Sequence, residues 1–353
     1  MTTVRIRDGH DNNWTVLRIL MAMAVLVGHA MIVGARDLSA EPMIYSSYSI
    51  SYMAVNAFFV ASGFLVTASM MHRKSLVEFA SARALRIYPA LAVHVLVVML
   101  VVGTANTTLP VLAYLAHPEV WLQLPKILTF ANTDFILPSV FADNHEPYAS
   151  APLWTLRYEV LAYIGTGSLF ALGFLRAKWM VAVPFVVAAV AHVGLTATGM
   201  MGELPATLKL ILRFALPYGL GALIWACRDD LPFRLWLLPV VALAAWVAKD
   251  SALAEVSMNL AVAYIIFFLA YSLPSLAKWS RSDISYGVYI WHWPILQWMA
   301  SKNPEWGITP LMVGALVLTP IVAFASWRLV EKPMLAKKGD LSAALKRRRF
   351  AIA

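Results

Sequence analysis

The chain has 353 residues, 61% of them hydrophobic and only 13% charged, about half the charged share of an ordinary soluble domain, which excludes a water-soluble globule. Its net charge of +9 is not the footprint of a nucleic-acid module, because the basic residues fall between apolar runs instead of on one face of a soluble domain. Cys227 is the single cysteine, so neither a disulfide framework nor a thiolate metal cluster is available.

Apolar runs long enough to cross about 30 Å of hydrocarbon recur along the chain. Lipid offers no partners to an unpaired backbone, so these runs are read as helices. Ten spans are predicted, near 14–35, 48–71, 87–106, 154–174, 179–198, 208–227, 235–249, 256–273, 284–301 and 308–329. The expected fold is an all-α polytopic membrane helical bundle of about ten transmembrane helices, with residues 1–335 as the membrane domain and 336–353 as a basic tail. An even number of spans puts both termini on one side. Loops on that side carry twenty Lys and Arg against five opposite, which places the N- and C-termini in the cytoplasm. The run Lys346-Arg347-Arg348-Arg349 would anchor that topology against anionic membrane lipid. The first span is expected to be retained, since Arg18 and His29 interrupt the apolar segment before Val33-Gly34-Ala35, which only faintly resembles a cleavage site.

An ionisable group at mid-membrane costs about 2.5–3.5 kcal/mol on insertion scales, so each one asks for a partner and a role. In the first span, Arg18 and His29 are eleven residues apart. That separation brings both side chains to one helical face, roughly 16 Å apart along the axis. A histidine exchanges protons near neutral pH and an arginine holds an anion; the alternative is a structural histidine with a snorkelling arginine. Arg83 and Arg86, beside Arg73 and Lys74, precede Ile87-Tyr88-Pro89 at the start of the third span. They share a face and can grip phosphate, although inside-positive charge alone also predicts basic residues there. The connection from Thr107 to Pro152, placed outside, is rich in Pro, aromatics and acids (Glu119, Asp134, Asp143, Glu146), and loops of that length are commonly functional or partly structured.

In Trp154-Thr155-Leu156-Arg157-Tyr158-Glu159, Arg157 lies near the interface and Glu159 within reach of the membrane interior. Glu159 could orient His29, act as a second base, or be a buried partner for an arginine such as Arg213. In the ninth span, Ser285-Tyr286-Gly287-Val288-Tyr289-Ile290-Trp291-His292-Trp293-Pro294 fits an interfacial aromatic belt, with His292 near the cytoplasmic end and a weaker catalytic candidate than His29. His94 and His192 are read as packing residues.

The ordered set of motifs resembles the acyltransferase-3 family of bacterial membrane proteins. It comprises Arg18 with His29, Phe58-Phe59-Val60-Ala61-Ser62-Gly63-Phe64, Arg83-Ala84-Leu85-Arg86-Ile87-Tyr88-Pro89, Pro152 through Glu159, Ser285 through Pro294, and Ser326 through Glu331-Lys332-Pro333. The resemblance implies an enzyme of the inner (plasma) membrane that moves an acyl group, usually acetyl, from cytoplasmic acetyl-CoA or another acyl-CoA to a hydroxyl of an envelope or exported glycan or a lipid-linked sugar. It implies no metal. His29 would be the catalytic base or a transient acyl carrier, with Arg18 and Glu159 beside it in the chemistry. Arg83 and Arg86 would hold the donor phosphates, joined in donor binding by Tyr88 and Ser62. Trp154, Arg157, Tyr289 and His292 would bind the acceptor.

Thr155 stands where family members often have Ser, and no Gly follows Arg18. No soluble hydrolase-like domain, which some members carry, follows the last span, so transfer is expected to be completed by the membrane domain alone or with another protein. Two alternatives stay open: acylation of a small cytoplasmic acceptor such as a macrolide or lipid-like metabolite, and a proton-coupled transporter using His29, Glu159 and Arg213. Against the latter, the two halves lack corresponding broken helices.

Overall fold

The structure, a computed structural model, describes residues 6, 12–231, 233–276 and 282–339. The tail residues Lys346, Arg347, Arg348 and Arg349, with Arg5, Arg7, Lys278 and Arg281, lie outside them. The helices are α1 (Trp14–Ala35), α2 (Ile50–Arg73), α3 (Leu76–Val97), α4 (Gly103–Asn106), α5 (Val111–Ala116), α6 (Pro118–Leu128), α7 (Trp154–Ala171), α8 (Lys178–Ala197), α9 (Ala206–Ala226), α10 (Leu237–Ala248), α11 (Ala254–Ser272), α12 (Ser285–Lys302), α13 (Ile308–Ser326) and α14 (Lys332–Ala336). One small hairpin, β1 (Met43–Tyr45) with β2 (Tyr48–Ser49), is the only sheet among the described residues.

Among the described residues, seven stretches are long and apolar enough to cross a membrane: α1, α2, the run from α3 through α4, α8, α9, α11 and the run from α13 through α14. The chain is thus an all-α polytopic membrane protein. The other three expected spans are also helical. Helix α10 is short, and α7 and α12 carry the polar and aromatic residues that lower their hydropathy. The third span begins earlier than hydropathy suggests. Helix α3 opens at Leu76, after Lys74 turns the chain in a left-handed conformation at φ 51°. Arg83 and Arg86 therefore sit inside the helix and not ahead of it. Hydropathy counts their charges against the span, yet Leu, Ala, Arg and Glu all favour helix.

The chain divides into two compact units. The first comprises Met1–Met21, Met43–Leu76 and Tyr158–Arg281. Here α2 packs along α9 so closely that a Cβ on Gly63 would lie 2.0 Å from the Tyr218 carbonyl oxygen, and one on Gly221 equally close to that of Val60. Small residues allow this backbone approach, the usual way membrane helices gain contact without a hydrophobic driving force between them. Trp14 and Phe64 stack on each other, and both meet Phe267 edge-to-face in the core. Val186, Val187 and Val190 of α8 and Leu243 and Val247 of α10 are exposed, as lipid-facing positions are.

The second unit comprises Ala22–Pro42, Val77–Arg157 and Ser282–Ala353. Helix α12 lies against α13, with Gly287 giving the clearance; a Cβ there would meet Ala323 at 2.9 Å. Leu26, Ala30 and Val33 of α1 form one stripe packed with Trp293, Leu296 and Met299 of α12 and with Leu311 and Ala315 of α13. Among the described residues, two π turns interrupt the regular helix, Val98–Val102 before α4 and Trp327–Glu331 after α13. The long connection forms α5 and α6, then continues as irregular chain closed by the bridges Thr107 to Val140 and Ile136 to Tyr148.

Candidate active site

His29 sits between Leu26 and Val33 on the packed stripe of α1, and that packing brings its Nδ1 to 2.8 Å from His292 Nε2. The two rings are near parallel, with centroids 5.1 Å apart. Trp293 stands edge-on to His29 at the same separation and is itself anchored by its indole N–H, which donates to the Tyr148 carbonyl at 2.8 Å. His292 Nδ1 lies 3.1 Å from the Val288 carbonyl one turn back. A carbonyl only accepts, so Nδ1 of His292 carries the proton and, in the neutral ring, its Nε2 is an acceptor. His29 Nδ1–H therefore donates to it. The proton of neutral His29 is committed to Nδ1, and its Nε2 presents a lone pair. His292 is fully buried and His29 only half-buried.

The expectation that His292 lies near a span's cytoplasmic end, with His29 deeper, is corrected by this contact, since touching rings share one level. An aromatic belt faces lipid at the water boundary, whereas all of Ser285 through Pro294 is buried within the protein. Tyr289, one turn before His292 and Trp293, bonds the Thr155 hydroxyl at 2.7 Å and meets the His292 ring edge-on. Trp154 is half-buried at the start of α7, and Arg157 donates to the Ala131 carbonyl at 3.3 Å. His94, expected as packing, has a polar partner. Its Nε2 is 3.0 Å from the Ser150 hydroxyl, and its ring is edge-on to Trp291.

Arg86 donates to Asp283 at 2.9 Å and to Glu331 at 3.2 Å, and its guanidinium lies 5.8 Å from the Tyr286 ring centre. It ties α3 to the entry of α12 and to the end of the second π turn. Arg83, one turn earlier, is half-buried, and Tyr88 is exposed with its ring edge-on to Phe130. In the other unit, Arg18 is half-buried on α1 and Ser62 half-buried on α2 beside Gly63. Glu159 accepts from the Tyr163 hydroxyl one turn along its own helix. Arg213 lies 3.5 Å over the Tyr52 ring and donates to Asn56, and His192 pairs with Glu255 at 3.1 Å.

A polar cavity of about 440 Å³ opens in the second unit at the C-terminal ends of α1 and α12. Val33 and Gln297 line it, four residues beyond His29 and Trp293 respectively, so the cavity begins about 6 Å along the helix axes from the histidine pair. Gln297 donates to the carbonyls of Glu146 and Tyr148 at 2.7 and 3.1 Å and accepts from Asn144 at 2.7 Å, which fastens the long connection onto α12. Arg36 and Phe141, both lining the cavity, hold φ of 56° and 55°, a left-handed backbone that bulky residues keep only when their surroundings impose it. Sequence reasoning missed His94 with Ser150, Asp283 and Gln297. The one available signal was a glutamine inside an expected span.

A family model described as an acyltransferase domain, of the acyltransferase-3 type, matches residues 11–328. The chain belongs to the acyltransferase-3 family. It is 29% identical to Nodulation protein 10 of Rhizobium leguminosarum bv. viciae over 392 aligned positions, which span 98% of each protein. It is 25% identical to an O-acetyl transferase of Shigella phage Sf6 over 360 positions, covering 93% of this chain and 97% of that one. No solved structure matches it. As a multi-pass membrane acyltransferase it requires an acyl donor and a hydroxyl-bearing acceptor.

Proposed function

We propose that the protein is an O-acyltransferase of the bacterial inner membrane that transfers an acyl group, acetyl in the first instance, from cytoplasmic acyl-CoA to a hydroxyl of an envelope glycan or glycolipid. Four facts support this reading: the family membership, the likeness to an O-acetyl transferase, the charge distribution that places the termini in the cytoplasm, and the histidine pair. The observation that carries it is the contact of His29 Nδ1 with His292, which leaves the Nε2 lone pair of His29 available for the base role proposed here.

Nε2 takes the acceptor's hydroxyl proton as the oxygen attacks the thioester carbonyl. The carbon–sulfur bond then breaks, and the departing thiolate recovers the proton from His29. His292 is a positioning residue in this scheme. Arg83 is proposed for the donor's phosphates and Arg18 for its polar arm. Arg86, held by two carboxylates, is assigned to positioning the helices around it. Trp154, Arg157 and Tyr289 remain proposed acceptor contacts.

The test is acetyl transfer by the purified chain in nanodiscs supplied with labelled acetyl-CoA. His29→Ala is expected to lower the rate by about 10²–10⁴-fold, the contribution of a positioned general base. Unchanged turnover in that variant would sink the assignment. Proton-coupled solute uptake without acyl transfer would favour the transporter alternative.

A further inference from the structure

The cavity at the ends of α1 and α12 is lined by none of the residues assigned above to the donor. Its lining combines two cations, Arg36 and Lys302, with two carboxylates, Asp143 and Glu146, and with His145, whose Nε2 is 3.8 Å from Glu146; with the imidazole neutral the formal charges cancel. The cations are pinned, since Arg36 donates to the Pro304 carbonyl and Lys302 to that of Ala105 at 3.2 Å. Asn144 and Gln297 are locked to each other and to the loop backbone. Two lining residues hold left-handed backbone, which marks a site whose shape is enforced. The volume of about 440 Å³ lies in the lower part of the range for small-molecule pockets, about 300–1,000 Å³.

Carboxylates, amides and cations fixed around a small polar space are donors and acceptors arranged for a ligand rich in hydroxyls. A net charge of zero in the lining favours a ligand with none. An anionic ligand would gain at Arg36 and Lys302 and lose at Asp143 and Glu146, and a cationic one the reverse, so the lining rewards neither sign. The floor of the cavity, at Val33 and Gln297, is one helical turn from His29 and Trp293.

Building on the acyl-transfer reading, we propose that this cavity is the acceptor subsite and that it selects an uncharged pyranose, with the 141–146 segment of the long connection supplying the specificity. A sugar seated there would present one hydroxyl toward His29 while Asp143 and Glu146 accept from others.

The experiment measures binding directly, apart from turnover. The full chain in nanodiscs is mixed with the neutral methyl glycosides of glucose, galactose, mannose and N-acetylglucosamine, with anionic methyl glucuronide and with cationic methyl glucosaminide. Saturation transfer from protein to sugar is recorded by NMR. At least one neutral glycoside is expected to bind tenfold or more tightly than either charged one. Ala142→Trp, which fills the cavity from the exposed loop, should abolish that signal, whereas His29→Ala should retain it. Asp143→Asn leaves the lining net positive and should shift preference toward the glucuronide by several-fold, a gain that misfolding cannot mimic. Binding insensitive to both cavity variants, preference for a charged glycoside by the unaltered chain, or no neutral glycoside binding at all would overturn the proposal. Failure of the acyl-transfer reading has a different signature: intact glycoside binding with no acetyl transfer from acetyl-CoA.

Discussion

Replacing His292 by alanine removes the acceptor to which His29 Nδ1–H points at 2.8 Å, and leaves that N–H against Trp293 with nothing to bond. A neutral hydrogen bond contributes about 0.5–1.5 kcal/mol net, and an orphaned buried donor costs about 1–3 kcal/mol. At about 1.4 kcal/mol per tenfold in rate, the loss in kcat should be about tenfold to a hundredfold. That is smaller than for His29→Ala, because His292 acts only through its neighbour. His292→Gln keeps an acceptor oxygen on a side chain of similar reach and should recover most of the rate. The assay is initial-rate acetyl transfer from labelled acetyl-CoA by full-length protein in nanodiscs, with the thermal midpoint of each variant measured alongside. KM for acetyl-CoA should not move. The double variant lacking both histidines should be no slower than His29→Ala alone, as expected for residues that work as a unit. Additive losses, or a glutamine variant as slow as the alanine one with an intact midpoint, would show that His292 merely fills space.

Glu331→Gln breaks the pair that the almost fully buried Glu331 makes with Arg86, a class of change that costs about 3–5 kcal/mol. The thermal midpoint should drop, and the double variant Arg86→Gln with Glu331→Gln should be more stable than Glu331→Gln alone; if it is not, the pair is not what holds these helices. Arg83→Ala should raise KM for acetyl-CoA with little change in midpoint, whereas Arg86→Ala should lower the midpoint first; the reverse pattern would return Arg86 to the donor site. Gly63→Val drives a side chain into the Tyr218 backbone and should destabilise the first unit by about 1–3 kcal/mol or more, while Gly165→Ala, with open space around it, should be neutral. Burial pushes the Tyr114 phenol up to about 12, above its unfolded value of about 10, and the hydroxyl donates to the Met99 carbonyl at 2.9 Å. Its contribution is present below about pH 10 and is lost as pH rises toward the folded value, so the midpoint should fall over that interval and Tyr114→Phe should flatten the fall.

Much of this architecture is legible from the amino-acid sequence because a membrane imposes one rule everywhere: apolar runs must be helices of spanning length. The rule falters where protein replaces lipid as the neighbour. Helix α12 carries Tyr286, Tyr289, Trp291, His292 and Trp293 in its interior, and every one is buried by protein. A belt reading assumes lipid on one side of those rings, where the structure has protein. The same assumption starts the third span too late, at Ile87 instead of Leu76, because Arg83 and Arg86 are penalised as if they faced hydrocarbon when Arg86 faces Asp283 and Glu331.

His29 stood out by its cost and its phase with Arg18, both local properties of one helix. Its partner did not, since His292 lies 263 residues away and nothing in either local pattern names the other. The same holds for the cavity. Asp143 and Glu146 are ordinary loop acids by sequence, and Gln297 is an oddity in an expected span. The bonds of Gln297 to Asn144, Glu146 and Tyr148 draw these residues into one lining. An uncompensated polar residue in a span thus signals that something must meet it, and only the fold says what. For His29 the answer is a second imidazole that sets its tautomer, and for Gln297 it is the loop that we assign to the acceptor.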